Sequence, residues 1–196
     1  MKLGFTNKAL AAIVLLSMAS AANADWVEIV DGDFSGNGLT PTLITVAAGS
    51  NVVIGTTGNA GSGIDRDYFT FTVPVGQLLT QMLLLPSTTF SGGSGFLAMQ
   101  AGPQVTVAPS GSGSGSLLGF IHYDNSHVGT DVLSFFTTTG SLASGTYSVW
   151  IQELGGVVDY GLDLQLTPVP LPGAALLLLS GLLGFAGIRG RKRVTR

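Results

Sequence analysis

The stretch Val158-Asp159-Tyr160-Gly161-Leu162-Asp163-Leu164-Gln165-Leu166 decides the fold class. Apolar side chains recur at every second position, and polar residues or glycine fill the gaps. A period of two belongs to an extended strand with one buried face. The same pattern runs upstream. In Thr146–Gln152, Tyr147, Val149 and Ile151 share a face, and Trp150 falls on the other. In Asp67–Val73, Phe69, Phe71 and Val73 share a face, with Tyr68, Thr70 and Thr72 opposite. Further strands are expected at Trp26–Val30, Thr42–Val46, Asn51–Thr56, Leu78–Leu85, Gly95–Gln100, Leu117–Tyr123 and around Val132–Phe136. Gly, Asn, Ser and Pro crowd the connections, as strand turns require. No segment between residues 25 and 168 sustains a 3.6-residue period. Residues 25–168 therefore read as one all-β domain, an antiparallel β-sandwich of jelly-roll type. Gly111-Ser-Gly-Ser-Gly-Ser116 is a low-complexity loop within it.

Composition narrows the function. The chain has 196 residues, of which 45% are hydrophobic and 10% charged, and it has no cysteine. A disulfide framework, a thiolate metal site and a cysteine nucleophile are thereby excluded. The net charge of −3 conceals a division into blocks. All eleven acidic residues lie between Asp25 and Asp163, where Arg66 is the one basic residue. That stretch carries a net charge of −10, which disfavours nucleic-acid phosphate and favours cations or a solvated acidic face.

The basic residues sit at the two ends. Lys2 and Lys8 precede an apolar run from Ala9 to Met18, followed by Ala22-Asn23-Ala24. This has the three regions of a secretory signal peptide over residues 1–24, with cleavage expected after Ala24. At the other end, Val169-Pro170-Leu171-Pro172 breaks any strand. An uncharged, leucine-rich stretch follows to Ile188, and then Arg189-Gly190-Arg191-Lys192-Arg193. As a helix, residues 171–188 would span roughly 27 Å at about 1.5 Å per residue, near the thickness of a bilayer core. The basic cluster would stop transfer and stay cytoplasmic, leaving the domain outside.

This three-part tail, residues 169–196, resembles the PEP-CTERM sorting signal of Gram-negative bacteria, with V-P-L-P in place of V-P-E-P. The resemblance implies recognition by exosortase, a membrane transpeptidase-like protease. It implies cleavage near Val169–Pro172 and release or transfer of the domain to the cell surface. The expected setting is extracellular polysaccharide or biofilm, with membrane lipid holding the tail only until processing. The domain itself resembles the bacterial pre-peptidase C-terminal β-sandwich. The carrying residues are Asp65-Arg66-Asp67-Tyr68-Phe69-Thr70-Phe71-Thr72-Val73, then Gly145-Thr146-Tyr147 leading to Tyr160-Gly161-Leu162. The resemblance implies a non-catalytic secretion or adhesion module, some members of which bind calcium.

Several constellations bear on chemistry. Asp31-Gly32-Asp33-Phe34-Ser35-Gly36-Asn37 places oxygen side chains at loop positions 1, 3 and 5, with Gly at 6 and Asn37 next. This matches the first half of a Ca²⁺ loop, but Thr42 stands where the bidentate Glu belongs, so an EF-hand is excluded. Asp65 and Asp67 form a second acidic pair. If the fold brings both loops to one end, a cation between them would relieve their repulsion. The same residues are ordinary turn formers. His122 and His127, with Asp124 and Asp131 nearby, fit no common zinc spacing. Trp26, Trp150, Tyr68, Tyr123 and Tyr160 are either a sugar-stacking platform or strand packing. No G-x-S-x-G, P-loop, G-x-G-x-x-G or H-E-x-x-H motif is present. The expectation is an exported, non-enzymatic surface or matrix protein. The alternatives are a calcium-dependent carbohydrate-binding adhesion module and a secreted hydrolase.

Overall fold

The computed structural model describes residues 25–59, 63–110, 115–153 and 155–169. The expected signal peptide with Ala22 and Ala24 lies outside them. So does the tail from Pro170 onward, including Leu171, Pro172, Arg189, Arg191, Lys192 and Arg193. Among the described residues, no helix is long and apolar enough to cross a membrane.

The described chain is all-β. Its long strands are β3 (Val52–Asn59), β4 (Ile64–Val73), β5 (Gln77–Leu84), β7 (Gly95–Ala101), β8 (Leu117–Tyr123), β9 (Gly145–Gln152) and β10 (Val157–Pro168). Short β1 (Trp26–Val27), β2 (Thr42–Leu43) and β6 (Thr89–Phe90) sit off the main path. The long strands form one curled sheet in the order β5-β10-β3-β4-β9-β7-β8. Every neighbouring pair along that path is antiparallel. Two short pairings depart from the expected antiparallel rule: β1 runs parallel to β3, and β2 parallel to β4.

The sheet turns its corner at β3–β4, where only Gly58↔Asp65 and Asn59↔Ile64 pair. From there β4 leaves β3 and runs along β9 from Arg66 to Val73. The two halves close on one core. One half contributes Val53, Leu79, Met82, Leu84 and the even residues Val158 to Leu166 of β10. The other contributes Phe69, Phe71, Val73, Leu97, Met99, Ile121, Tyr123, Val149 and Ile151. Alternation in the sequence thus translates directly into burial. A second, small cluster lies on the outer face, where Tyr68, Ala98 and Trp150 pack under Val105.

Two expected strands are replaced in part or whole, and a third, Thr42–Val46, is a strand only over Thr42–Leu43. Trp26–Val30 stops as a strand after Val27 and continues as a single helical turn, α1 (Glu28–Asp31). Gly32 ends that turn at φ +103°, donating its N–H to the Glu28 carbonyl at 3.0 Å, a conformation glycine adopts freely. The Val132–Phe136 stretch holds a 3-10 turn, Leu133–Phe135, rather than a strand. Asp131 sets it up: its Oδ1 accepts the N–H groups of Met82 and Leu133, both at 2.9 Å.

Segment 129–142 also finishes the β5 edge. Leu79 and Leu142 exchange two backbone hydrogen bonds. Leu84 accepts from Gly129 and donates to Thr130, and Val132 donates to Met82. Backbone groups that would be left unpaired at an edge are satisfied by the chain itself.

Candidate cation site

The N-terminal segment and β4 meet at one end of the core. Glu28, on α1, reaches back across β3. Its Oε2 accepts the Thr56 N–H at 2.7 Å and its Oε1 the Phe34 N–H at 3.2 Å. These bonds hold its carboxylate in place. Asp33 follows the helical turn and is exposed. Asp67 sits on β4 with the parity of Phe69, Phe71 and Val73, so its side chain points to the core face, and it is 0% exposed. One carboxylate oxygen from each of Glu28, Asp33 and Asp67 lies within 4.8 Å of the others. Two oxygens on opposite sides of a Ca²⁺ ion at about 2.4 Å each would be about 4.8 Å apart, so the spacing suits one ion.

Asp67 is the anomalous member. Neither of its oxygens has a hydrogen-bond partner. Burial first, and the Glu28 carboxylate second, push its pKa up to about 9. The Tyr160 hydroxyl draws the shift back a little, although no well-formed hydrogen bond joins the two. Glu28 is raised chiefly by burial, against the two N–H groups that favour its charged form, and Asp33 adds repulsion. Asp65 is raised by burial and then by Asp33. A hollow of about 390 Å³ opens beside the cluster, with Asp33, Asp65, Thr56 and Thr57 in its wall.

Behind Asp67 the interior stays polar. The hydroxyls of Tyr160, Tyr123 and Thr57 and the Oε2 of Glu153 are buried without partners. Both tyrosines lie over glycines of the neighbouring strand, Tyr160 across from Gly55 and Tyr123 across from Gly95. A Cβ on Gly55 would come within 2.5 Å of the Tyr160 hydroxyl, so only glycine leaves room for that ring. Burial pushes both phenols well above their usual range, and the Asp67 charge adds to this.

The sequence-based ligand set is thus regrouped. Asp33 and Asp67 come together, with Asp65 beside Asp33. Asp31 does not join the grouped carboxylates; its Oδ2 accepts the Val27 N–H at 2.7 Å. Ser35 Oγ turns to the Asn37 backbone, and Asn37 Oδ1 accepts the Leu39 N–H at 3.0 Å. These are the turn bonds that Ser and Asn make in loops. Glu28 was missed, because the strand expected over Trp26–Val30 gave it no special place. His122 and His127 do not converge. His127 pairs with Asp124 at 3.0 Å, and His122 lies among rings on the outer face. Of the aromatic residues considered as a sugar platform, Tyr68, Tyr123, Tyr160 and Trp150 are buried, and Trp26 is half-buried against Phe34. Val169, first residue of the expected sorting motif, donates its N–H to the Gly76 carbonyl at 2.8 Å.

No protein-family model matches the chain, and no curated protein matches it in sequence.

Proposed function

We propose that the chain is an exported, non-enzymatic β-sandwich module of jelly-roll type that binds Ca²⁺ through Glu28, Asp33 and Asp67. Asp67 carries the reading: a fully buried carboxylate with both oxygens unpartnered, facing two further carboxylates. An ionised carboxylate without partners is too costly to bury, so it must hold a proton or meet a cation. A hard divalent ion is the partner that three carboxylate oxygens suit, with water filling the remaining positions. Such a site fits the weak affinities of extracellular modules, with dissociation constants of about 10⁻⁴ to 10⁻³ M.

In this reading the ion fastens the start of the mature chain, which supplies Glu28 and Asp33, to the core strand that supplies Asp67. The remaining steps rest on the sequence. The tail holds the module at the membrane, an exosortase-type protease removes it, and the module takes its place at the cell surface, in extracellular polysaccharide or biofilm.

The test is thermal unfolding of the intact protein in chelator and in Ca²⁺. At Ca²⁺ about tenfold above the dissociation constant, the gain is about 1.4 kcal/mol. Asp33→Asn and Asp67→Asn should each abolish it. A melting temperature unmoved by Ca²⁺ at about 10 mM, well above the expected dissociation constant, sinks the reading.

A further inference from the structure

A second place on the molecule combines rings with spare hydrogen-bonding groups. On the outer face of the edge pair β7–β8, Phe96 stands across from His122, and Phe120 is the next outward residue of β8. The Phe96 and Phe120 rings stack with centroids 5.8 Å apart, and His122 meets Phe96 at 5.4 Å and Phe120 at 6.1 Å. Trp150 braces Phe96 edge-on from the sheet at 4.7 Å. Phe120 is 47% exposed and Leu118, on the same side of β8, is 41% exposed. The rings border a hollow of about 290 Å³ lined by Gly93, Ser94, Phe96, His122, Gln152 and Glu153. Glu153 is 5% exposed, and its Oε2 has no hydrogen-bond partner. Arg66 Nε donates to Gln152 Oε1 at 2.9 Å and holds that amide in the sheet.

The geometry points to a carbohydrate-binding site here, taking a neutral hexose unit of a polysaccharide against Phe96, Phe120 and His122. A pyranose has an apolar face of C–H groups and a rim of hydroxyls. Rings on one side with the Gln152 amide, the His122 imidazole and the Ser94 hydroxyl on the other match both. Selective sites are built in this way, with apolar walls and a few fixed polar groups. Charge decides against other polymers. Glu153 lies in the wall and the domain is strongly acidic, so an anionic chain is repelled. This site shares no residue with the cation cluster, and its occupation does not depend on Ca²⁺.

The test is affinity electrophoresis of the intact protein through gels holding neutral glucans, mannans, galactans or β-1,4-linked N-acetylglucosamine polymer, with an anionic uronic-acid polymer alongside. Each is run in Ca²⁺ and in chelator. The expected result is retardation by at least one neutral polymer in both conditions. Phe120→Ala and His122→Ala change exposed side chains, and each should weaken binding about tenfold by removing a ring contact. Both should keep the wild-type melting temperature. Retardation by the anionic polymer alone, by no polymer, or equally in both variants overturns the proposal. So does a change of oligomeric state in Phe120→Ala with binding intact, which would make the patch a contact between copies.

Discussion

At the scale of the residue, Asp67 dominates the behaviour of the molecule. Its pKa in the fold, about 9, stands far above the ordinary value of 3.8 for an aspartate. Between those values the folded protein holds a proton that the unfolded chain has released, so stability falls as pH rises through that window. The penalty is absent below about pH 4 and complete above about pH 9. In chelator, the melting temperature should decline steadily from pH 5 to pH 9. Asp67→Asn should flatten that decline and melt at least about 3 °C above wild type at pH 9. Ca²⁺ should flatten it in the wild type, because the ion takes the place of the proton. A wild-type profile already flat in chelator would contradict the placement of this carboxyl.

The position was legible in the sequence, where Asp67 stands with Asp65 as a candidate ligand. Asp67 has the parity of Phe69, Phe71 and Val73, which by itself sends a carboxylate into the core. Glu28 was not legible. Its role depends on a helical turn closed by Gly32 and on a backbone N–H of β3, neither of which alternation reveals. Phe96, Phe120 and His122 were hidden for a related reason. Aromatic residues in strands are common. Whether they face solvent depends on what covers the outer face, and loop 102–110 covers Tyr68 and Trp150 while leaving β8 open.

At the scale of the element, Asn51 shows how loops are fixed to strands here. It is 0% exposed. Its Nδ2 reaches the carbonyls of Ala47, Gly49 and Leu164, and its Oδ1 accepts the Ala47 N–H at 2.7 Å. Its own N–H goes to Asp163 Oδ1, which also accepts from Ser50 Oγ. The bend before β3 is thereby bound to β10. Asn51→Ala would leave these backbone groups buried and unpaired, at about 3 kcal/mol. Urea denaturation should show a lower midpoint with an unchanged slope. The strands themselves were well anticipated wherever alternation was strict. Leu117–Tyr123 agrees at both ends, and β10 extends the anticipated stretch by one residue at its start and two at its end. Alternation failed where side-chain hydrogen bonds bent the chain, as Asp131 does before Leu133.

At the scale of the whole molecule, β10 runs directly into the expected sorting motif. Pro168 closes β10, and Val169 is still bound to the Gly76 carbonyl. Intact mass and the C-terminal peptide of the protein from its own host should show loss of residues beyond about 172, as the tail's resemblance implies. Recovery of the peptide through Arg196 would make the tail a lasting anchor and withdraw the processing step.

The place of β10 sets an order of events in time. Among the described residues it is the last strand in the sequence, yet it lies between β5 and β3 and also pairs with β6. Half of the sheet therefore has no middle until residue 168 is free to fold. Most of its pairings join residues far apart along the chain, which makes folding slow. A chain that cannot close early stays threadable through a narrow passage for as long as its end is held back. Its fold is completed only when the final strand arrives.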